Sequence, residues 1–438
     1  MNEVVVVGGG LAGCEAAFQI AEMGSRVRLH EMRPGTMTPA HRSGGLAELV
    51  CSSSLKSMST QTAHGLLKSE MRRLGSLLLR CADESAVPGG DALCVDRARF
   101  SDLVTATISG HPLVTLERCE ITRIPADRPC VVATGPLTSP ALSESVSLFT
   151  GANRLHFFDA IAPSVEAESI DRQKIFLQSR YDKGEAAYIN CPMTADEYYA
   201  FIDALLAAEI ADLHLDEERD ARYYEGCLPI EIMARRGRET LAHGTMKPVG
   251  LTDPRTGRRP YAVAQLRQEN SEGSVYGLVG FQTQLRQSEQ ARVFRMIPGL
   301  EHAAFVRYGS VHRNTYIDSP HILTPTLTCK NDPQLLFAGQ LIGVEGYMES
   351  AATGILAGIN AARLSNGAMP MELPKETMLG ALLDYVANGP ADDFQPMGSN
   401  FGILPELPFA HRKHDRKTLK IARAMESLES LMIDNPTQ

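Results

Sequence analysis

Gly8, Gly10 and Gly13 stand in the spacing Gly-x-Gly-x-x-Gly, directly after the run Val4-Val5-Val6-Val7. Glycines so spaced let the backbone approach a pyrophosphate, which the N-terminus of a following helix then holds. The context of this loop is complete. The valine run predicts a buried strand, and Cys14, Ala16, Ala17, Ile20 and Ala21 predict a helix of small residues behind it. Gly8, Gly9, Gly10, Leu11, Ala12 and Gly13 are therefore the candidate phosphate-binding residues. A second strand, Arg26-Val27-Arg28-Leu29-His30, ends in Glu31, 18 positions after Gly13. A βαβ unit places there the carboxylate that takes a ribose hydroxyl. Together these residues imply a bound dinucleotide.

Two later segments point the same way. Cys130-Val131-Val132-Ala133 reads as a strand and runs into Thr134-Gly135-Pro136, a tight turn that brings backbone near a flavin cofactor. Leu335-Leu336-Phe337-Ala338-Gly339 is a further strand, followed by Gln340, several glycines and a helix expected from about Ser350. Gly135, Gly339, Gln340 and the nearby Tyr347 join the cofactor-binding candidates. The chain carries one such glycine fingerprint, so a nicotinamide cofactor must dock without a second.

Nine cysteines are scattered singly, with no Cys-x-x-Cys pair. That pattern argues against a disulfide framework and against a metal site, and fits a reducing cytoplasm. Cys14, Cys81, Cys94, Cys119, Cys130, Cys191 and Cys329 read as packing residues. Cys51 lies in a loop rich in glycine and serine, and Cys227 in Glu225-Gly226-Cys227-Leu228-Pro229. For these two, local sequence leaves packing and catalysis equally open.

These residues must be positioned by a large chain. Its 438 residues, 44 % hydrophobic and 22 % charged, suit two or three globular domains. No apolar run approaches the roughly 20 residues of a membrane span, so no membrane partner is expected. The net charge of −9 excludes a uniformly basic nucleic-acid binder but not a local basic surface. The expected fold is α/β: a Rossmann-type, glutathione-reductase-like FAD-binding domain interrupted by a mixed α/β insertion. The expected boundaries are 1–145, 146–325 and 326–438. Within the first part, 33–62 reads as a long functional loop, Gly65 to Leu79 as one helix, Asp96 as a helix start and Val114 to Ile124 as a strand.

The chain resembles the folate- and FAD-dependent tRNA uracil-5 methyltransferases, relatives of the GidA/MnmG wobble-uridine enzymes. The resemblance runs nearly end to end. It is carried by Gly8 to Gly13, Glu31-Met32-Arg33-Pro34, Glu48 to Ser52, Val131 to Ser139, Ser179 to Gly184 and Tyr188 to Met193. It continues through Glu225 to Glu231, Met246 to Leu251, Phe294 to Leu300, His312 to Ile317, Gly339-Gln340 and Val344 to Tyr347. Ser53 departs from the family's Asn, and Gln61-Thr62-Ala63-His64 from its Thr-Asn-Ala-Val.

The resemblance implies bound FAD, methylenetetrahydrofolate as carbon donor, NADPH or NADH as reductant, and the tRNA T-arm as substrate, its uridine becoming ribothymidine. Uracil C5 is a poor nucleophile until a thiolate adds to C6. The resemblance makes Cys227 that thiolate and Cys51 its partner at the flavin side. It makes Tyr347 a platform for the pterin or a contact of the flavin. His312, Arg313 and Asn314 are read as preceding a strand and lining the same pocket. RNA phosphates would meet Arg235-Arg236-Gly237-Arg238, Arg255 to Arg259, and above all Arg412 to Lys417, extended by Lys420 and Arg423 on one helix face. An rRNA uridine, a plain FAD oxidoreductase and a non-catalytic flavin-containing RNA-binding factor are the alternative readings. The residues say nothing of oligomeric state.

Overall fold

The computed structural model describes residues 3–151, 155–182, 185–211 and 228–434, and of 155–160, 311–313, 393 and 434 the backbone alone. Two six-stranded sheets organise it. The first has the order Thr328–Cys329, Asp332–Phe337, Cys130–Val132, Glu3–Val7, Arg26–His30, Val114–Glu117. Its strands pair in parallel except for the hairpin of the first two. Val5 sits between Arg28 and Cys130. Val4 to Val7 are at most 3 % exposed, as a strand covered on both faces requires.

From the central strand Glu3–Val7 the chain moves outward to Arg26–His30 and Val114–Glu117. It then crosses back to place Cys130–Val132 on the other side. This reversal opens a crevice at the carboxyl end of the first strand, the place where a doubly wound sheet takes its ligand. The glycine loop lies there. Behind it, the helix Leu11–Glu22 packs on the long helix Tyr347–Ser365. A Cβ at Gly354 would fall 2.2 Å from the Ala12 carbonyl oxygen, and one at Gly358 would fall 2.5 Å from that of Ala16. The two helix backbones touch because these positions carry no side chain.

Three expected elements are shorter, broken or displaced. Gly65 to Leu79 is two helices, Ala63–Arg73 and Leu77–Glu84. Gly75 adopts a φ of 77° between them, and Ser76 caps the second by accepting from Leu79 N. Buried Glu15 accepts from Leu77 N at 3.1 Å and Leu78 N at 3.0 Å, so the break is held from outside. The strand at Val114 stops at Glu117, and Cys119, Glu120 and Ile121 turn to line the crevice. The long helix begins at Tyr347, three residues before Ser350. Asp96 does open a helix, Arg97–Gly110, by accepting from Arg99 N. Most of 33–62 is irregular, with one short strand at Ser54–Ser57.

The second sheet is antiparallel, in the order Phe176–Leu177, Tyr188–Met193, Ala262–Gln268, Val275–Leu278, Ser164–Glu166, Phe305–Arg307. It has its own apolar core, built with Tyr198, Phe201 and Ile202 of the helix Ala195–Leu206 and with Phe281 and Phe294. A ribbon of Leu155–Ile161 paired with Ser310–Tyr316 carries the chain out to this sheet and back. Glu225, Gly226 and Cys227 lie outside the described residues, as do Arg222 to Tyr224, Lys183 and Gly184. No helix among the described residues is long and apolar enough to cross a membrane.

One buried carboxyl gives the fold a measurable pH response. Glu70, 1 % exposed, accepts from Met378 N at 2.7 Å and Leu379 N at 2.9 Å and so caps the helix Met378–Asn388. Burial pushes its pKa up to about 8, although both N–H groups pull the other way. An unfolded glutamate loses its proton near about pH 4.3. Between those values the folded state holds the extra proton, so stability falls as pH rises. The melting temperature is expected to drop from about pH 5 to about pH 8, and Glu70→Gln to flatten part of that drop. Parallel curves for the two proteins would mean that this carboxyl does not titrate there.

Candidate active site

The cleft at the sheet reversal holds about 1010 Å³ of space, its open mouth and adjoining solvent included. Gly8, Gly10, Leu11, Ala12, Glu31, Gly135, Gly339, Gln340 and Tyr347 all line it. Four stretches far apart in sequence therefore converge. Gly9 and Gly13 work from behind. A Cβ at Gly13 would lie 1.7 Å from the Gly8 carbonyl oxygen, and one at Gly9 would lie 2.6 Å from Leu46 Cδ2. Gly10 differs: a Cβ there meets nothing within 4 Å, because it would enter the cleft itself. Gly10 also caps the helix Leu11–Glu22 with no side chain, leaving first-turn N–H groups for an incoming phosphate. This bare, open helix terminus fits the pyrophosphate of a dinucleotide.

Glu31 is more engaged than its sequence position implies. Its Oε1 accepts from Arg33 N and Arg33 Nε, both at 2.9 Å. Its Oε2 accepts from Gly9 N at 2.8 Å and Arg33 Nη2 at 3.2 Å. Burial pushes this carboxyl up, but the hydrogen bonds and charge of Arg33 and the Gly9 N–H outweigh it and leave it below the ordinary carboxylate range. Glu31 is thus ionised, with Arg33 and the Gly9 N–H as its partners. Arg33, 2 % exposed, reaches on to Glu48 Oε2 at 3.3 Å. Its sequence signal was the close pairing of opposite charges in Glu31-Met32-Arg33.

At the other end of the cleft, Tyr347 ties the long helix to the Cys51 loop. Its hydroxyl accepts from Cys51 N at 2.7 Å and Ser52 N at 3.2 Å. Burial raises the Tyr347 hydroxyl well above its ordinary value, and the Cys51 side chain adds to this by accepting the phenolic proton. Arg307 Nη1 donates to Val50 O at 2.8 Å, and Arg267 Nη2 to Ser52 Oγ at 2.6 Å. Gly339 N donates to Thr353 Oγ1 at 2.8 Å, and Gln340 Nε2 to Glu345 Oε2 at 2.7 Å, which set the turn beneath Tyr347. Cys51, half-buried, therefore stands beside the cleft at a fixed backbone position. The departures also have partners here. Ser53 Oγ donates to Gln268 O at 3.4 Å, and His64 Nδ1 lies 3.2 Å from Glu349 Oε1 in the first turn of the long helix.

The model of the family described as "Glucose inhibited division protein A" matches residues 3–369. The chain belongs to the GidA family. A methylenetetrahydrofolate–tRNA-(uracil-5-)-methyltransferase TrmFO of Heliobacterium modesticaldum is 54 % identical over 433 residues, 99 % of this chain and 98 % of the relative. That of Geobacter sulfurreducens is 55 % identical over 427 residues, 97 % of this chain and 98 % of the relative. The family grouping thus extends to the TrmFO proteins. Among solved structures, GidA of Aquifex aeolicus superposes with a TM-score of 0.68 at 18 % identity, covering 98 % of this chain and 73 % of that one. That likeness confirms the Rossmann-type α/β fold.

Within this GidA-family frame, several expected site residues fall elsewhere. Cys227 lies outside the described residues, so its distance to Cys51 is not part of the geometry. His312, Arg313 and Asn314 do not precede a strand; they lie within Ser310–Tyr316, and Asn314 is 3 % exposed, away from the cleft. The basic face expected on the last helix does not form. Lys420 is 2 % exposed and donates to Leu404 O at 2.9 Å, Arg423 bonds the carbonyls of Pro405 and Glu406, and Arg416 pairs with Glu406. These cations close the helix onto the preceding loop, while Arg412, Lys413 and Lys417 stay exposed. Cys14, Cys81, Cys94, Cys130, Cys191 and Cys329 are buried as expected, and burial pushes the Cys81 thiol to about 11 and the Cys130 thiol to about 12. Cys119 breaks the pattern: it is exposed on the cleft edge, its Sγ 3.3 Å from His30 Nδ1.

The two roles of the glycines are separable by mutation. Gly10→Val is expected to fold normally and to lose flavin absorbance, because its side chain occupies only the cleft. Gly13→Ala should instead destabilise the fold by about 3 kcal/mol or more, since the Gly8 carbonyl must move. Thermal melts and visible spectra of the two purified variants check both. A Gly10→Val protein with full flavin absorbance would remove this loop from the binding site.

Proposed function

We propose that this protein transfers the one-carbon unit of methylenetetrahydrofolate to C5 of a uracil in the T-loop of tRNA, with FAD in the cleft and NADPH or NADH as reductant. The observation that carries this reading is Cys51, tied by Tyr347 to the dinucleotide cleft of a chain 54 % identical to a TrmFO protein over 433 residues. When bound, FAD carries the one-carbon unit and supplies reducing equivalents. Gly10 and the N-terminus of the helix Leu11–Glu22 hold its pyrophosphate, and Glu31 with Arg33 holds its ribose. Gly135, Gly339 and Gln340 lie along the rest of the cleft, with Tyr347 at the end that receives the folate.

The protein's own chemistry is carried by thiols. Cys227 adds its thiolate to uracil C6, forming an S–C6 bond and turning C5 into an enolate-like carbon. C5 then attacks the one-carbon unit, the C5 proton leaves to a base, and elimination of Cys227 restores the C5–C6 double bond; a hydride supplied by reduced FAD would break the carbon's bond to its carrier nitrogen and complete the methyl group. Cys51 works on the cofactor side, where its sulfur and the Tyr347 hydroxyl share a hydrogen bond. The target base must leave its stack to reach this point, at a cost of a few kcal/mol. The exposed arginines Arg235, Arg236, Arg258 and Arg259 and the loop cations Arg412 and Lys413 are the phosphate contacts. NADPH or NADH would supply the reducing equivalents, and would dock without a second glycine fingerprint of its own.

Carbon-labelled methylenetetrahydrofolate with NADPH or NADH is expected to label ribothymidine in a T-loop RNA, and labelled S-adenosylmethionine to leave it unlabelled. Cys51→Ser and Cys227→Ser should each keep FAD and lose roughly a hundredfold or more in rate, because a hydroxyl is a far weaker nucleophile at neutral pH. An RNA carrying 5-fluorouracil should trap a covalent adduct that maps to Cys227 and vanishes in Cys227→Ala. A trapped peptide containing Cys51 would exchange the two roles. Wild-type rates in both serine variants would end the thiol mechanism.

A further inference from the structure

Arg307 ends the strand Phe305–Arg307 at the edge of the second sheet, yet its guanidinium reaches the loop that carries Cys51. Nη1 donates to Val50 O at 2.8 Å, the carbonyl immediately before Cys51. Nη2 donates to Ser164 Oγ at 3.3 Å and lies near Glu269, whose Oε1 is 3.8 Å away. Arg97 pairs with the same Glu269. Arg267 bonds Ser52 from the strand Ala262–Gln268 of the same sheet. Three guanidinium groups thus surround the Cys51 loop with one carboxylate among them. Burial pushes the Glu269 carboxyl up, but Arg97 and Arg307 outweigh it and keep it ionised, so the cluster retains net positive charge. The other nearby carboxylate, Glu48, is taken up by Arg33, Arg42 N and Ser43.

Among the described residues, Glu269 is the one carboxylate paired with these three guanidinium groups, so part of their charge is left over. The Nε atoms of Arg267 and Arg307 are buried with no hydrogen-bond partner among the described residues. The Cys51 loop offers no compensating dipole of its own, because the N–H groups of Cys51 and Ser52 both point at the Tyr347 hydroxyl. Cys51 does not sit at a helix N-terminus. The charge of Arg307 acts on both the Cys51 thiol and the Tyr347 hydroxyl. A thiolate at Cys51 completes the set: it takes the Tyr347 proton in a hydrogen bond and balances the guanidinium excess.

We infer that Arg307 is a positioning residue that holds Cys51 in its anionic form, by clamping the Val50 carbonyl and presenting its charge to the sulfur. This rests on the role given to Cys51 above and adds the residue that makes the thiol reactive at neutral pH. The groups facing Cys51 are then Arg307 and Glu269 from the second sheet, Arg267 beside them, Arg97 from the helix Arg97–Gly110, Tyr347 from the long helix and Glu48 from its own loop.

The test is the pH dependence of Cys51 alkylation by iodoacetamide in the FAD-loaded protein, read by mass spectrometry of the Cys51 peptide without RNA or folate. Exposed Cys119 serves as an internal reference. Arg307→Gln is expected to raise the Cys51 midpoint by at least about one pH unit, the effect of losing an opposite charge a few Å away. Arg307→Lys should keep the midpoint within about half a unit while methylation falls about tenfold in kcat, since an ammonium supplies charge but not the two-point clamp. Glu269→Gln, which leaves Arg307 in place, should lower the midpoint. The Cys119 profile should not move in any of them. A merely structural role for Arg307 would change labelling rates at all pH values without moving the midpoint, and that result overturns the inference. Should Arg307→Gln not retain FAD, the lysine and Glu269 variants decide alone: a raised midpoint in the first or an unchanged one in the second sinks it. Because this readout involves no methyl transfer, it stands or falls separately from the proposed reaction.

Discussion

Direct backbone contact between two helices is the constraint on which the site depends. The helix Leu11–Glu22 and the long helix Tyr347–Ser365 meet where Gly354 and Gly358 face the carbonyls of Ala12 and Ala16. Any side chain at either glycine would force the helices apart. Their separation sets how far the start of the long helix stands from the glycine loop, and Tyr347 is its first residue. The Tyr347 hydroxyl in turn holds Cys51 N and Ser52 N. One packing contact therefore sets both walls of the cleft and the height of the thiol above it. Gly339, whose added Cβ would lie 3.0 Å from Ala12 Cβ, belongs to the same seam.

Buried titratable groups in this protein are consistently bound to backbone or to an opposite charge. Glu15 and Glu70 each cap a helix N-terminus from a neighbouring helix. Such carboxyl groups replace water for orphan N–H groups and pin one helix against another. Glu31 with Arg33 does the same for the glycine loop at the mouth of the cleft. The arginine cluster around Cys51 is the exception, because its guanidinium groups outnumber the carboxylates beside them. An imbalance of this kind at a cleft marks a place where an anion belongs.

The second sheet supplies what the cofactor sheet lacks. It has its own apolar core and is joined through the ribbon Leu155–Ile161 and Ser310–Tyr316. Its contribution to the site consists of polar groups that cross to the Cys51 loop: Arg267, Glu269 and Arg307. The dinucleotide cleft is thus a property of one sheet, and the environment of the thiol beside it is a property of both.

Local pattern alone was enough for the cofactor half. Four valines, three glycines at fixed spacing and an acid at the next strand end force a strand, a bare helix terminus and a carboxylate, because each follows from backbone sterics over a few residues. The apolar strands at Cys130 and Leu335 were legible for the same reason. Local pattern misjudged the stretch from Gly65 to Leu79, where apolar spacing continues across Gly75 but Glu15, remote in sequence, stabilises a new helix start. It also misjudged Lys420 and Arg423, whose spacing makes a basic stripe on paper while the preceding loop buries them. Charged residues at helical spacing do not say which face meets protein. The partners of Cys51 were least legible of all. Tyr347, Arg307 and Arg267 approach from hundreds of residues away, through hydrogen bonds that carry no periodic signal. The sequence by itself determined the dinucleotide fold, because that rests on short-range spacing, while it left Cys51 and Cys227 open between packing and chemistry. Only the tertiary structure decided which charges surround Cys51, because that depends on how two independently packed sheets meet.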